Sequence, residues 1–507
     1  MPAAPAPTTP PAHVPTPEER QSVLAALRRP AWLKTEVLAG LVVALALIPE
    51  AIAFSIIAGV DPRVGLFSSF TMAVTTAILG GRPAMISAAT GAVALVIAPL
   101  VRDYDVDYMI AAVILAGVFQ VILALLGAAK LMRFIPRQVM VGFVNALAIL
   151  IFLSQVPELL GVPWLVYPLL ALSLLIVFGL PKLTTAVPAP LVAIVVLTII
   201  VVAARIEVPT VGDKGELPSS LPTLFIPDVP YTLETLRIIA PYALGMALVG
   251  LMESLMTAKL VDDITDTRSD KTRESWGQGV ANIVTGFFGG MGGCAMIGQT
   301  MINVRASGAR TRLSTFLAGV FLLILVVALG DIVGLIPMAV LVAVMIFVSV
   351  TTFDWHSIHP RTLAYMPKSE TTVMVVTVVG TVATDNLAVG VVLGVLVAMV
   401  AFAQRVAHLV HVERTLEERA DGTAVARYTV DGELFFASSN DLYMMFRYAE
   451  DPQHVVIDLS NSHLWDASTV AAVDAITEKY HRHGTEVDVV GLNKASRRMR
   501  VRLAHLR

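Results

Sequence analysis

The 507-residue chain is 56% hydrophobic and 15% charged, and its 36 Lys and Arg against 39 Asp and Glu give a formal net charge of −3. The balanced charge leaves no basic footprint for nucleic acid, and a charged fraction well below the roughly 25% of ordinary soluble domains excludes a water-soluble enzyme. Cys294, the single cysteine, excludes an intrachain disulfide and a cysteine-built zinc centre, so no metal or cofactor is expected.

Residues 1–17 are a Pro, Ala and Thr tract without apolar periodicity, which reads as a disordered tail. The tract lacks the charged start and apolar run of a secretory signal, so the N-terminus is expected in the cytoplasm. A first segment is therefore set at 1–35, tail plus a pre-membrane helix. From 36 to 407 apolar runs alternate with short polar breaks, many of them close to the ~20 residues that cross a bilayer. This zone is predicted to be an all-α polytopic membrane domain with fourteen segments. They fall at 36–58, 65–80, 85–101, 108–128, 138–157, 164–180, 185–204, 239–257, 276–291, 295–306, 313–330, 332–350, 371–384 and 386–406.

Basic residues concentrate in loops on the cytoplasmic side. With the N-terminus inside, about nineteen Lys and Arg, including Arg82, Lys130, Arg133, Arg310 and Arg312, fall on that side. Five, Arg63, Arg102, Arg205, Lys214 and Arg237, fall on the other. The bias predicts a multi-pass protein of the cell (inner) membrane with both termini cytoplasmic. The acidic loop at Asp103, Asp105 and Asp107 and the Pro-rich loop from Arg205 to Arg237 then lie outside. Over 408–507 the hydropathy collapses. Strands are predicted over 424–430, 433–437, 454–460 and 486–490, and helices over 467–481 and 493–506, a small α/β domain.

Within the membrane zone, the chemistry lies where the helices are irregular. Pro49 removes a backbone donor in the first span, and Glu50 beside it places an ionisable group near mid-depth. Glu50 reads as a proton-binding or ligand-gating carboxylate, the alternative being a polar pair that holds helices together. In the eighth span Glu253 and Thr257 share one helical face and can line a cavity; the alternative is solvation beside Lys259 and Asp262. The third and tenth spans are short. Each carries Ala-Met-Ile before a small residue, at Ala84 and at Ala295, and each follows a glycine-bearing break, Gly80 to Pro83 and Gly289 to Gly293. Broken helices in corresponding places of two halves present positive N-terminal ends to an anion; close helix packing is the plainer explanation of their small residues.

The stretch from Ile48 to Phe70, IPEAIAFSIIAGVDPRVGLFSSF, closely resembles the signature of the sulfate permease (SulP) anion transporters. The resemblance continues through Leu248 to Leu255, Gly286 to Gly293, Asn303 to Ala306 and Ser307 to Thr311, and so covers nearly all of 36–507. It implies a seven-plus-seven inverted repeat split into a core and a gate, and a homodimer. It also implies an anion held between the third and tenth segments, by Glu50, Phe54, Thr90, Gly91, Gly298, Gln299 and Thr300. Two departures stand out. The family motif usually has Gln where this chain has Glu50, and many members carry Ser-Arg where this chain has Gly298-Gln299. One positive charge is lost and one acid gained, so the expectation is proton-coupled symport of a carboxylate or dicarboxylate, with Glu50 as proton carrier and Glu253 as second candidate. An anion channel or exchanger for sulfate, bicarbonate or chloride, and a membrane-tethered signalling protein, are the alternatives.

Val456 to Ser460 followed by Asp466-Ala-Ser468-Thr resembles the strand and loop of a STAS domain. In soluble relatives the residue aligned with Ser468 is phosphorylated. Here Asp466 and Ser468 read first as caps of the helix that follows, with Ser468 as a possible regulatory site. The loop from Asp262 to Asp270 reads as a solvated hinge, Gly289 to Gly293 as a turn, and His356 and His359 as surface histidines.

Overall fold

The computed structural model describes residues 16–127, 130, 135–183, 188–384, 386–407, 410–418 and 423–504. Residues 1–15 of the tail expected over 1–17 and the basic Arg133 fall outside them, and Pro17 already begins a helix. The chain forms two compact units, 1–395 and 396–507, each with its own apolar core.

The first unit runs α1 (Pro17–Arg20), α2 (Val23–Arg28), α3 (Pro30–Ala58), α4 (Pro62–Leu79), β1 (Ser87–Ala88), α5 (Gly91–Asp103), α6 (Val106–Leu125), α7 (Arg137–Gln155), α8 (Val166–Leu183) and α9 (Ala189–Ala203). It continues through α10 (Leu233–Thr265), α11 (Lys271–Phe287), β2 (Cys294–Ala295), α12 (Ile297–Met301), a π-turn at Ile302–Ala306, α13 (Arg312–Gly334), α14 (Met338–Thr352), α15 (Pro360–Tyr365), α16 (Lys368–Thr384) and the start of α17 (Leu387–Ala407). Among the described residues seven helices are long and apolar enough to cross a membrane unaided, and α9 and α14 are shorter apolar helices.

Most predicted spans fall on helices, with ends displaced by a few residues. The third and tenth are corrected. Neither begins as a helix; each opens on a two-residue strand, and the two strands pair antiparallel, Ser87 with Ala295 and Ala88 with Cys294. The cause is backbone accounting, since amides freed by a broken helix need partners where water is scarce. Buried side chains supply them: Ile86 N–H donates to Thr300 Oγ1 at 3.0 Å, Ala295 N–H to Ser254 Oγ at 3.1 Å, and Gly293 N–H to Asn282 Oδ1 at 2.9 Å. Close approach of backbones makes the crossing possible. A Cβ on Gly293 would stand 2.0 Å from the Ala88 carbonyl oxygen.

Buried polar side chains recur in α11, where Glu274, Gln278 and Asn282 face inward. Glu274 Oε2 accepts from Gly81 and Arg82 N–H at 2.7 and 2.9 Å and fixes the turn before β1. The loop read as a solvated hinge is instead tied down. Asp262 accepts from Arg82 Nη1 at 3.0 Å, Lys271 Nζ at 2.8 Å and Ser269 Oγ at 3.0 Å, and Asp270 caps α11. Glu36, predicted to be merely the start of a span, is buried. Its carboxyl oxygens accept from the backbone of Arg310, Thr311 and Ser314, so one helix caps another.

The second unit carries the four-stranded sheet β3-β4-β5-β6, made of β3 (His411–Glu418), β4 (Ala424–Leu434), β5 (His454–Leu464) and β6 (Glu486–Val490). β3 and β4 are antiparallel and the other pairings parallel. Helices α18 (Ser439–Met444), α19 (Ala467–Arg482) and α20 (Lys494–Ala504) complete it. The strands predicted over 424–430 and 433–437 are one strand. Asp431-Gly432 looks like a turn in sequence, but the ladder absorbs it as a register shift between Thr429 and Asp431. β3, mostly exposed and charged, gave no apolar alternation to read.

Candidate functional site

Helix α3 passes Glu50 beside the two broken segments, and there a cavity of about 320 Å³ opens. Its lining includes Glu50, Phe54, Thr90, Gly91, Glu253, Gly298 and Gln299. Of the seven residues predicted to hold substrate, six therefore share one cavity, and Thr300 does not line it. Thr300 is fully buried, with its hydroxyl engaged by the Ile86 N–H just before β1. The predicted site thus divides into residues that face the space and one that builds its wall.

Each lining residue is placed by local structure. Thr90 is the N-cap of α5, its Oγ1 accepting from Val93 N–H at 3.4 Å, so α5 points its N-terminal end toward the cavity. Gly91 follows because nothing larger fits: a Cβ there would sit 2.9 Å from the Phe54 ring and 3.1 Å from Ile151. Opposite, Gln299 of α12 donates from Nε2 to Glu50 Oε1 at 2.8 Å. Gly298 next to it has open space where a side chain would be. Glu253 is buried, and its Oε2 accepts from the Cys294 thiol at 2.9 Å, while Cys294 Sγ and Thr90 Oγ1 lie 3.2 Å apart. This chain of contacts joins α10, β2 and the cap of α5. Glu253 is thus buried, not solvated beside Lys259 and Asp262 as its alternative had it.

Glu50 and Glu253 are the charged groups among the described lining residues, and no Lys or Arg joins them. Attraction for an anion must come from helix ends and neutral donors. Sequence reasoning missed the apolar wall, Phe143, Ile151 and Phe347 among others, and the thiol of Cys294. A leucine or phenylalanine facing a cavity has the same sequence signature as one facing lipid, and the cysteine was read for metal and disulfide chemistry alone.

In the second unit Asp466 alone caps α19, accepting from Thr469 N–H at 2.9 Å. Ser468 stands exposed in the first turn of that helix. Hydrogen bonds from the Ser460 hydroxyl and N–H, with Arg427 close by, hold the Asp458 carboxyl below the usual carboxylate range. His359 caps α15 through Nδ1, and His356 is exposed.

Comparison with known proteins matches this architecture. The sulfate permease family model covers residues 33–166 and 163–377, and the STAS domain model covers 418–507. The chain is 54% identical over 472 residues to the "Putative sulfate transporter YbaR" of Bacillus subtilis (strain 168), covering 93% of this chain and 97% of that protein. Among solved structures it resembles the transmembrane domain of a cyanobacterium bicarbonate transporter BicA, with 26% identity, a TM-score of 0.63, and coverage of 70% of this chain and 97% of that one. It shares its fold with the murine Solute Carrier 26 family member A9 anion transporter in the inward-facing state, at 16% identity and a TM-score of 0.79 over 92% of this chain and 87% of the other. The chain belongs to the sulfate permease family: it is a multi-pass membrane anion transporter, not an enzyme, with a STAS domain following its transport domain.

Proposed function

We propose that the protein carries a small anion, a carboxylate or dicarboxylate before sulfate or bicarbonate, together with a proton, by movement of a core against a gate around this cavity. Glu50 is the proton carrier and Glu253 the second candidate. The observation that supports this reading is the charge of the lining: two acids and no base around a space that must receive a negative solute. An anion about 4 Å from an ionised carboxylate is repelled by about 4 kcal/mol at an effective dielectric near 20. Substrate therefore enters when Glu50 is neutral, which couples the anion to a proton. Neutral donors, Gln299 and the amides at the start of α5, suit a carboxylate's separated oxygens without a guanidinium.

The same reading places the protein in the cell inner membrane as a homodimer with cytoplasmic termini, and leaves Ser468 as a candidate phosphorylation site. The test is uptake of radiolabelled succinate, sulfate and bicarbonate into proteoliposomes with an inward proton gradient. Accumulation above equilibrium that collapses with the gradient is expected. Equilibration without accumulation would make the protein a channel or a uniporter, and absence of uptake for all three would overturn the reading.

A further inference from the structure

The carboxamide of Gln299 has one satisfied end and one that is not. Its Nε2 donates to Glu50 Oε1 at 2.8 Å, while its Oε1 is buried with no hydrogen-bond partner among the described residues. Gln299 as a whole is 2% exposed, so water offers that oxygen little. An ionised Glu50 can only accept, which forces the amide to present nitrogen to it. A neutral Glu50 carries an O–H, and the carboxamide, turned over about its last torsion, can accept a hydrogen bond from it at Oε1. The turn satisfies the orphan oxygen and aims both Nε2 hydrogens away from Glu50.

Resting on the reading of Glu50 as proton carrier, we infer that Gln299 is the coupling residue, an amide that donates to the anion only after Glu50 has taken its proton. No covalent bond changes apart from the O–H formed on Glu50 by a proton from the aqueous phase. With Glu50 ionised, one Nε2 hydrogen is held by the carboxylate and the carboxylate's charge repels an anion from the other. With Glu50 neutral, the donor is released, the repulsion is gone, and the anion binds. Proton first, anion second, becomes the favoured order. The neighbourhood contains few competitors for this role. Glu253 on α10 is the other titratable group on the cavity, with the Cys294 thiol of β2 behind it, whereas α5, α9 and α14 present no charged side chain to the space.

The test is the apparent KM for whichever of radiolabelled succinate, sulfate or bicarbonate the wild type accumulates, measured at acid and at alkaline external pH. Gln299→Met keeps the length and removes the amide. It is expected to raise KM about tenfold at acid pH, the loss of one hydrogen bond to a charged ligand, and by no more than about twofold at alkaline pH, where the wild-type amide is already engaged. Glu50→Gln is expected to lower the alkaline KM to the acid value. If Gln299→Met raises KM by the same factor at both pH values, Gln299 is a static ligand or a wall residue and the coupling role is overturned, while the proton-carrier reading stands. A wild-type KM and rate that ignore pH would remove that reading and the inference with it. Gln299→Asn, whose amide is one methylene too short to bridge, serves as the second variant and should show the same pH-dependent pattern. Loss of uptake by both variants at both pH values contradicts the inference.

Discussion

Glu50 is an acid beside an amide in a cavity that holds one other acid, and what it does depends on these neighbours. With glutamine at this position the pair with Gln299 would be two neutral amides and the cavity would keep one acid, Glu253. Glu50→Gln is therefore expected to leave a folded transporter whose uptake no longer accelerates as external pH falls, read from initial rates across pH. Gly298 and Gly293, both N-terminal to Gln299, differ in kind. Gly298→Ala adds a methyl to open space and should leave the melting temperature in detergent within a few degrees. Gly293→Ala drives a methyl into the Ala88 carbonyl, 2.0 Å away, and should destabilise the unit by about 3 kcal/mol and abolish uptake.

At the scale of elements, the site is a consequence of two helices that fail to start on time. β1 and β2 meet, the amides of Ile86, Ala295 and Gly293 in and beside them are taken up by Thr300, Ser254 and Asn282, and α5 begins at Gly91 with its end toward the cavity. Thr300→Val keeps the shape and removes the acceptor for Ile86 N–H, so it should cost about 2 kcal/mol of stability, seen as a lower melting temperature. Because Thr300 does not face the cavity, KM should move far less than in Gln299→Met. Much of this was legible in the sequence. The twin Ala-Met-Ile strings and the glycine breaks pointed to both segments, and six of seven predicted ligands meet around one space. Strand pairing was not legible, since two residues are too short for a period of two to register. Nor could the inward role of Thr300 be read, because a hydroxyl beside a break suits a ligand and an acceptor equally well.

Over the whole molecule, the two units are held by different physics. The first buries small residues and polar pairs within an apolar bundle, as where Gly117 and Gly279 let α6 and α11 approach so closely that a Cβ on either would strike the other's carbonyl at 2.5 or 2.7 Å. The second is an ordinary water-soluble core, pinned by the carboxyl of Asp451, which accepts from Arg414 Nε at 2.8 Å and from the hydroxyls of Tyr428 and Tyr480. Burial first, and the bond to Asp451 next, hold the Tyr480 hydroxyl well above the ordinary tyrosine range. A group whose folded value is raised contributes stability below its unfolded value, about 10, and loses it as pH climbs beyond. The isolated fragment 410–507 should then keep this contribution up to about pH 10 and weaken above it. Tyr480→Phe should cost about 2 kcal/mol at neutral pH and flatten part of the alkaline decline, followed by urea denaturation. In sequence the change from apolar runs to alternating strands put the boundary at 407/408, inside the second compact unit, which begins at Leu396; the buried Asp451 cluster gave no such sign, its four members being scattered from Arg414 to Tyr480.

The most direct test of a cavity that admits an anion only beside a neutralised Glu50 is the internal pH of the vesicle itself. Proteoliposomes loaded with a trapped pH-sensitive dye should acidify when the transported anion is added outside, in step with its uptake, and those containing Glu50→Gln should take up the anion without acidifying. Anion accumulation by the wild type with no change in internal pH would contradict the account.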